Sequence, residues 1–385
     1  MAPPAKGLPI AATLVQPLEA EPLRLAAPDH ERRISVVSVY QPADRTTCVK
    51  APRHSGTIRM LVARDFTSIP IVDVAPLLAS TGDRAATIAH LDDACRRCGF
   101  FYLTGHGIVV DDLDAQARAF FAQPQATKLE IAMARGGRAW RGYFPLGGEL
   151  TSGAPDWKEG IYFGAELADD DPRVRSGTPL HGRNLFPSAP PQFGAAVLAH
   201  LTACTHLGQI VMGALGTALG HGEDAFRARY LADPLTLFRI FHYPPPPTEQ
   251  TWGVGEHTDY GLLTILAQDD CGGLEIRSRD GWIEAPPIPG AFVCNLGDML
   301  ERLSNGRYRS TPHRVRNGSG RDRVSMAFFF DPSFDAVVPT PADFVDDVVT
   351  RWDGQSVRAF EGTYGEYLVR KVSKVFPGLH GEVLL

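Results

Sequence analysis

The sequence predicts an α+β, mainly β protein with a β-sandwich or jelly-roll core, on three observations. After Asp233, short runs rich in β-branched and aromatic residues recur at regular spacing: LTLFRIFHYP, GLLTILAQDD, GGLEIRS, GWIEAPP, AFVCNLGDML, RYRSTPHRVR and RVSMAFFFDP. Gly, Pro and Asp turns separate them, which is the pattern of a closed or double-layered antiparallel β-structure. Upstream, from Ile69, an apolar β-type run, a helical pattern and a second apolar run make a strand, helix, strand unit. Between these regions, FGAAVLAHLTACTHLGQIVMGALGTAL carries apolar residues at helical spacing over residues 193–219, suited to backing the β-rich half.

Taken in order, residues 1–65 are rich in Ala and Pro, poor in aromatics and without sustained periodicity, so disorder is the expectation there. Met60 stands just before the first organised element and is a candidate alternative start. IPIVDVAPLL is read as a strand, residues 83–98 as a helix, GFFYLTGHGI as a second strand and residues 111–133 as one further helix. A Gly- and aromatic-rich loop follows, WRGYFPLGGELTSGAPDWKEGIYFG. The boundaries expected are 66–190 for the N-terminal region, 191–232 for the backing helix, 233–340 for the β core and 341–385 for a C-terminal helical segment. EGTYGEYLVRKVSKVF in that last segment suits either a cover over the core or a partner subunit, and the sequence does not choose.

The chain has 385 residues, 44% hydrophobic and 21% charged, which suffices for a sizeable buried core. Its formal net charge is -6 and its basic residues are scattered singly, so neither nucleic acid nor an anionic membrane is an expected partner. No stretch is expected to reach the roughly 20 apolar residues of a membrane span, and the N-terminus has no secretory pattern, which points to the cytoplasm. Six cysteines are too sparse for a disulfide scaffold. Cys95 and Cys98 form a CxxC, but within a helical pattern and without the second pair a zinc site needs, so they are read as structural.

The chemistry is concentrated in a few spacings. In GEHTDYGLLTIL, His257 and Asp259 stand at i and i+2, so on a strand or at its end both side chains leave one face. His313, in RSTPHRVRN on a later strand, supplies a second imidazole. Two His and one carboxylate on one face of an octahedron leave three adjacent positions open, the arrangement of oxygen-activating non-haem iron. An isolated HxD is common by chance. Its weight here comes from a second signal, Arg323 and Ser325 in RDRVSMAFFF, ten residues beyond the third ligand. A guanidinium fork and a hydroxyl at i and i+2 on an apolar strand make a pocket for a planar carboxylate. An Arg buried among Val324, Met326, Ala327 and Phe328 without an anion would be costly, so it expects a ligand.

These motifs resemble the iron and 2-oxoglutarate dioxygenases related to isopenicillin N synthase. The resemblance runs from IPIVDVAPLL to about Pro332 and rests on GEHTDYGLLTILAQDDCGGLEI, NLGDMLERLSNGRYRSTPHRV and RVSMAFFFDPSF, with GFFYLTGHGI similar to the family's N-terminal region. It implies a double-stranded β-helix (jelly-roll) core with the helical N-terminal region packed against it. It further implies Fe(II) on His257, Asp259 and His313, and 2-oxoglutarate gripped by Arg323 and Ser325 with Tyr243 of FHYPPPP in contact. Oxygen is the other co-substrate, and a small organic molecule is hydroxylated or desaturated with release of succinate and CO2.

Other residues are weighed by position. Asn295 and Asp298 are expected to set a turn and support the iron strand rather than touch substrate, His106 to be structural, and His242 to face away from Tyr243. Arg239, Tyr260, Glu149, Thr151 and Tyr143 are the candidate substrate contacts, because loops on a rigid scaffold carry specificity. GYFPLGGELTSGAPD resembles the corresponding loop of bacterial ethylene-forming enzymes, which use arginine together with 2-oxoglutarate. A 2-oxoglutarate-independent oxidase, a zinc hydrolase and a non-catalytic jelly-roll binding protein are the competing readings. The oligomeric state is not legible.

Overall fold

Apolar alternation turns the second half of the chain into two facing sheets, and the first half supplies further strands to one of them. The computed structural model describes residues 66–79, 82–339, 356–357 and 360–376, all within one compact unit, Leu61–Leu385. The expectation for residues 1–65 lies outside the described residues.

Strand β1 (Ile71–Asp73) is only three residues long, because Pro76 starts the short helix α1 (Ala75–Leu78). Helix α2 (Arg84–Arg97) begins at Asp83, whose side chain accepts from the Ala86 N–H, and leads to β2 (Phe100–Thr104). The single helix expected over 111–133 is instead α3 (Asp111–Phe121), then α4 (Gln125–Lys128) and two 3₁₀ segments. Pro124 stands at the break, where it disfavours helical backbone in the residue before it. The aromatic loop is partly strand, β3 (Gly142–Phe144) and β4 (Glu159–Gly164), and is followed by α5 (Pro172–Arg175), α6 (Phe193–Ala218) and α7 (Glu223–Tyr230).

The core strands are β5 (Pro234–Tyr243), β6 (Val254–His257), β7 (Leu263–Gln268), β8 (Leu274–Ser278), β9 (Gly281–Glu284), β10 (Phe292–Leu296), β11 (His313–Val315) and β12 (Arg323–Ser333). NLGDML does not continue its strand: after β10 the chain turns into α8 (Asp298–Leu303). The C-terminal helix is α9 (Tyr364–Val375), closed at its start by a capping box of Thr363 and Glu366.

The larger sheet has eight strands in the order β1-β2-β10-β7-β12-β5-β4-β3, and the smaller has four, β6-β11-β8-β9. Strands from both sides of residue 190 therefore share one sheet, and Phe100 to Leu103 pair with Asn295 to Phe292. Helix α6 packs behind this sheet, where Gly208 lets it approach: a Cβ there would come within 2.7 Å of the Phe330 ring. By length and apolar composition alone α6 could cross a bilayer, which corrects the expectation that no segment could. In the fold it is a core helix, with Val197, Leu201, Cys204, Leu207, Val211 and Leu215 buried.

Replacing Gly208 by Val should overpack this contact and destabilise the fold by about 1–3 kcal/mol. Urea unfolding of the two proteins measures it, and an unchanged midpoint would show that α6 does not depend on that approach.

Candidate active site

His257 and His313 are Cα partners in the β6–β11 pair, so both imidazoles rise from the same inner face of the smaller sheet. Asp259 follows two residues past His257. One ligand atom from each of the three lies within 4.8 Å of the others. His257 Nε2 is 3.7 Å and His313 Nε2 3.8 Å from Asp259 Oδ1.

Each ring is turned by its other nitrogen. His257 Nδ1 lies 2.8 Å from the Gly255 carbonyl and His313 Nδ1 3.2 Å from the Thr311 carbonyl. A carbonyl only accepts, so each Nδ1 carries the proton and each Nε2 presents a lone pair to the centre. Burial lowers both histidines' pKa values, His313 to about 4, which keeps them neutral. Burial alone would raise Asp259, but the facing imidazoles and bonds from Thr264 and Asn295 bring it below its ordinary value. Asn295 Nδ2 donates to Asp259 Oδ2 at 2.7 Å and Thr264 to the same oxygen, leaving Oδ1 for a cation. The donor set fits a divalent transition metal.

Across the chamber, β12 turns alternate residues inward: Arg323, Ser325, Ala327, Phe329 and Asp331. Arg323 is 0% exposed and pairs in register with Tyr243, over whose ring its guanidinium lies at 4.7 Å. Its Nε donates to the Gly272 carbonyl at 2.6 Å, while Nη1 and Nη2 have no partner among the described residues. Ser325 Oγ is 3.4 Å from the Tyr243 hydroxyl. Two parallel unpaired N–H groups beside two hydroxyls are the complement of a carboxylate, so the fork fits the distal end of 2-oxoglutarate.

The triad and this fork line one chamber between the two sheets. Arg239, Tyr260, Glu149 and Thr151 line it too. Tyr143 does not: it is buried between α3 and β4, its hydroxyl donating to Glu159 at 2.5 Å and its ring against Phe120. That corrects its assignment as a substrate contact, and the reason is that its segment folds as β3 rather than as an open loop. His242 faces away from the chamber toward Glu159 and Asp322, as expected, and His106 stacks on Phe292 in the core.

Three residues in or against the chamber escaped the sequence reading. Lys158 is buried against Glu149 (2.9 Å) and Asp156 (2.8 Å), and these carboxylates push its pKa up against the cost of burial. Tyr162 donates to Glu149 at 2.6 Å. Asp331 accepts from Tyr364 of α9 at 2.6 Å. The inward period of β12 extends from Arg323 to Asp331 and was the one available signal for the last of these. Helix α9 covers the chamber with Leu368, Val372 and Val375, which settles its choice of surface within the chain.

Asn295→Ala should remove one of the two bonds that orient Asp259 and weaken Fe(II) or Co(II) binding about 10–100-fold, measured by anaerobic titration. An unchanged affinity would mean that Thr264 alone suffices. Burial pushes Asp331 up to about 7. Folding raises this acid above its unfolded value of about 3.9, so its stabilising contribution is complete below that value and is lost as pH rises to about 7. The metal-free protein should therefore lose on the order of a few kcal/mol across that window, and Asp331→Asn should remove the loss. Urea titrations at pH 4.5 and 7.5 test this, and parallel slopes in the two proteins would refute it.

The chain matches two family models, the non-haem dioxygenase N-terminal region described from morphine synthesis over residues 69–189 and the 2OG-Fe(II) oxygenase superfamily over residues 222–332. It is 46% identical to a "probable iron/ascorbate oxidoreductase" of Dictyostelium discoideum, over 76% of this chain and 90% of that one. It is 34% identical to the 1-aminocyclopropane-1-carboxylate oxidase of Dictyostelium mucoroides (81% and 96% covered) and 39% identical to a homoarginine-6-hydroxylase of rice, Oryza sativa (80% and 97%). The crystal structure of a full-length Neurospora crassa protein in complex with 2-oxoglutarate superposes with a TM-score of 0.65 at 27% identity, covering 79% of this chain and 95% of that one. The chain belongs to the 2OG-Fe(II) oxygenase superfamily and is a 2-oxoglutarate-dependent non-haem iron dioxygenase that oxidises a small molecule with release of succinate and CO2.

Proposed function

We propose that His257, Asp259 and His313 hold the iron, that Arg323, Ser325 and Tyr243 grip 2-oxoglutarate, and that the organic substrate is a free α-amino acid. The observation that carries the substrate reading is the state of Arg239. It is half-buried on the wall of the iron chamber, its enclosed Nε has no hydrogen-bond partner among the described residues, and its Nη1 stands 3.8 Å from Glu149 Oε1. A half-buried guanidinium beside a buried carboxylate offers one site for a carboxylate and one for an ammonium or guanidinium. A zwitterionic head group satisfies both at once. The names of two relatives support the same class, since 1-aminocyclopropane-1-carboxylate and homoarginine are both α-amino acids.

Glu149 is held ionised for this task. Burial alone would raise it, but Lys158 and Arg239, with the hydroxyl of Tyr162, bring its pKa below the usual value. The rings of Tyr162 and Phe329 sandwich the Arg239 guanidinium at 4.3 and 4.7 Å and fix its plane. Thr151 and Lys158 anchor Asp156, which keeps the loop carrying Glu149 against the chamber. Bound in the triad, Fe(II) with 2-oxoglutarate and O2 supplies the oxidising chemistry, and the chain's part is to orient the two organic molecules and exclude water.

The test is succinate release after O2 is admitted to the Fe(II)- and 2-oxoglutarate-loaded protein. The additions are arginine, homoarginine, 1-aminocyclopropane-1-carboxylate and their decarboxylated amines, with headspace ethylene measured alongside. At least one free amino acid should stimulate turnover while its amine does not. Arg239→Met should raise the KM for that amino acid about 10–100-fold, the cost of a lost charge-assisted bond. Equal stimulation by amino acid and amine would sink the substrate assignment. Arg323→Met should raise the 2-oxoglutarate requirement by a similar factor while iron binding is kept.

A further inference from the structure

Behind Arg239 lies a smaller cavity with room for little more than one water-sized or halide-sized group. Trp140, Arg141 and Leu180 wall it on one side, and it shares Leu237, Arg239 and Val372 with the iron chamber. Arg141 is the notable member. It and Arg323 head the fully buried side chains, at 1% and 0% exposure, and neither has a carboxylate within 4.0 Å among the described residues. Arg323 faces the place proposed above for the distal carboxylate of 2-oxoglutarate. Arg141 has one hydrogen bond, from Nη2 to the Leu180 carbonyl at 2.8 Å, and its Nε has none.

The buried lysines are provided for, Lys158 with two carboxylates and Lys128 with Glu159. Arg302 commits its Nη1 to the carbonyls of Val357 and Phe360 and also keeps an unpartnered Nε, but it lines neither cavity, whereas Arg141 does. The carboxylate that bears on Arg141 is Glu166, whose Oε2 is already engaged by the main-chain N–H and side-chain amide of Asn184. Burial draws the Arg141 pKa down to about 10, which still leaves it charged at neutral pH. Gly164 makes room for it, since a Cβ there would run into the guanidinium. A buried charge without a counter-charge is costly, so a ligand is the natural complement of this one.

We propose that the cavity between Arg141 and Arg239 is an anion subsite, and that its occupant is the carboxylate of the organic substrate, reaching Arg239 from the chamber and Arg141 behind it. The identity of that occupant rests on the amino-acid reading above, whereas the existence of the subsite does not. The same chemistry would also accept a free halide-sized anion.

The experiment uses the full chain, anaerobic with Fe(II) and saturating 2-oxoglutarate so that Arg323 is filled, in chloride-free buffer with bromide as the probe. Wild type should show a saturable rise in melting temperature, and crystals grown with bromide an anomalous peak within about 4 Å of the Arg141 guanidinium, an ion-pair distance. Arg141→Met should lose the saturable rise and Arg141→Lys should keep part of it. No rise in wild type, or the same rise in Arg141→Met, would overturn the subsite and leave Arg141 as a tether for Leu180. Should Arg141→Met fail to fold, the anomalous peak in wild type decides alone, and its absence is equally fatal. A stimulating amino acid that competes with bromide identifies the substrate carboxylate as occupant, and additive binding identifies a free anion and overturns that part. Bromide binding without stimulation by any amino acid would refute the amino-acid reading and leave the subsite standing.

Discussion

The site depends on the pairing of β6 with β11, which sets His257 opposite His313. A one-residue slip of either strand would turn an imidazole to the outer face of the smaller sheet, because side chains alternate along a strand. The register is defended from both sides. Val254 pairs with Val315 at the far end of the same ladder, and His313 pairs with Ile276 of β8 across its other edge. Outside, Arg314 stacks between Trp252 and Trp282 at 4.3 and 3.8 Å, so the residue beside His313 is clamped on the opposite face. The metal geometry is thus a consequence of sheet packing.

The larger sheet does the complementary work. β12 is long, and its inward side carries Arg323 at one end and Asp331 at the other, so the proposed co-substrate and substrate regions lie along one strand. Its outward side packs on α6, where Gly208 meets Phe330. Helix α9 completes the enclosure through two tyrosine hydroxyls, Tyr364 to Asp331 at 2.6 Å and Tyr367 to Asp298 at 3.1 Å. Asp298 in turn donates its N–H to the carbonyl of Asp259. The cover of the chamber is therefore tied by hydrogen bonds to the loop that carries the carboxylate ligand.

That His257 with Asp259 and Arg323 with Ser325 would face one interior was legible in the sequence, because each pair is a local spacing of two on an extended segment. The β-rich half and helix α6 were legible from periodicity, which survives any tertiary detail. The failures have separate causes. The break at Pro124 is local punctuation overriding a helical pattern, whereas the folding of Tyr143 into β3 is decided by pairing with Ile161 of β4, a partner that no local signal shows. Lys158 and Asp156 were invisible because their meaning is a charge pairing with Glu149, and only the folded loop between β3 and β4 brings the three together.

Unpaired charge is, for the same reason, the most informative feature of this interior. A sequence shows that an arginine exists but not whether the fold has supplied its counter-charge. Arg323 could be read early only because its strand is so apolar that burial was implied. Arg141 sits between Trp140 and Gly142, in a stretch that reads as loop, and nothing local marks it as buried. Once the fold is known, the two stand in the same condition, fully enclosed and with guanidinium donors left over. Natural interiors satisfy nearly all such donors. Several guanidinium nitrogens are left over here, on Arg302, Arg307 and Arg316 as well; those of Arg141 and Arg323 differ in lining adjoining cavities, and that placement is what supports reading both as proposed anion sites.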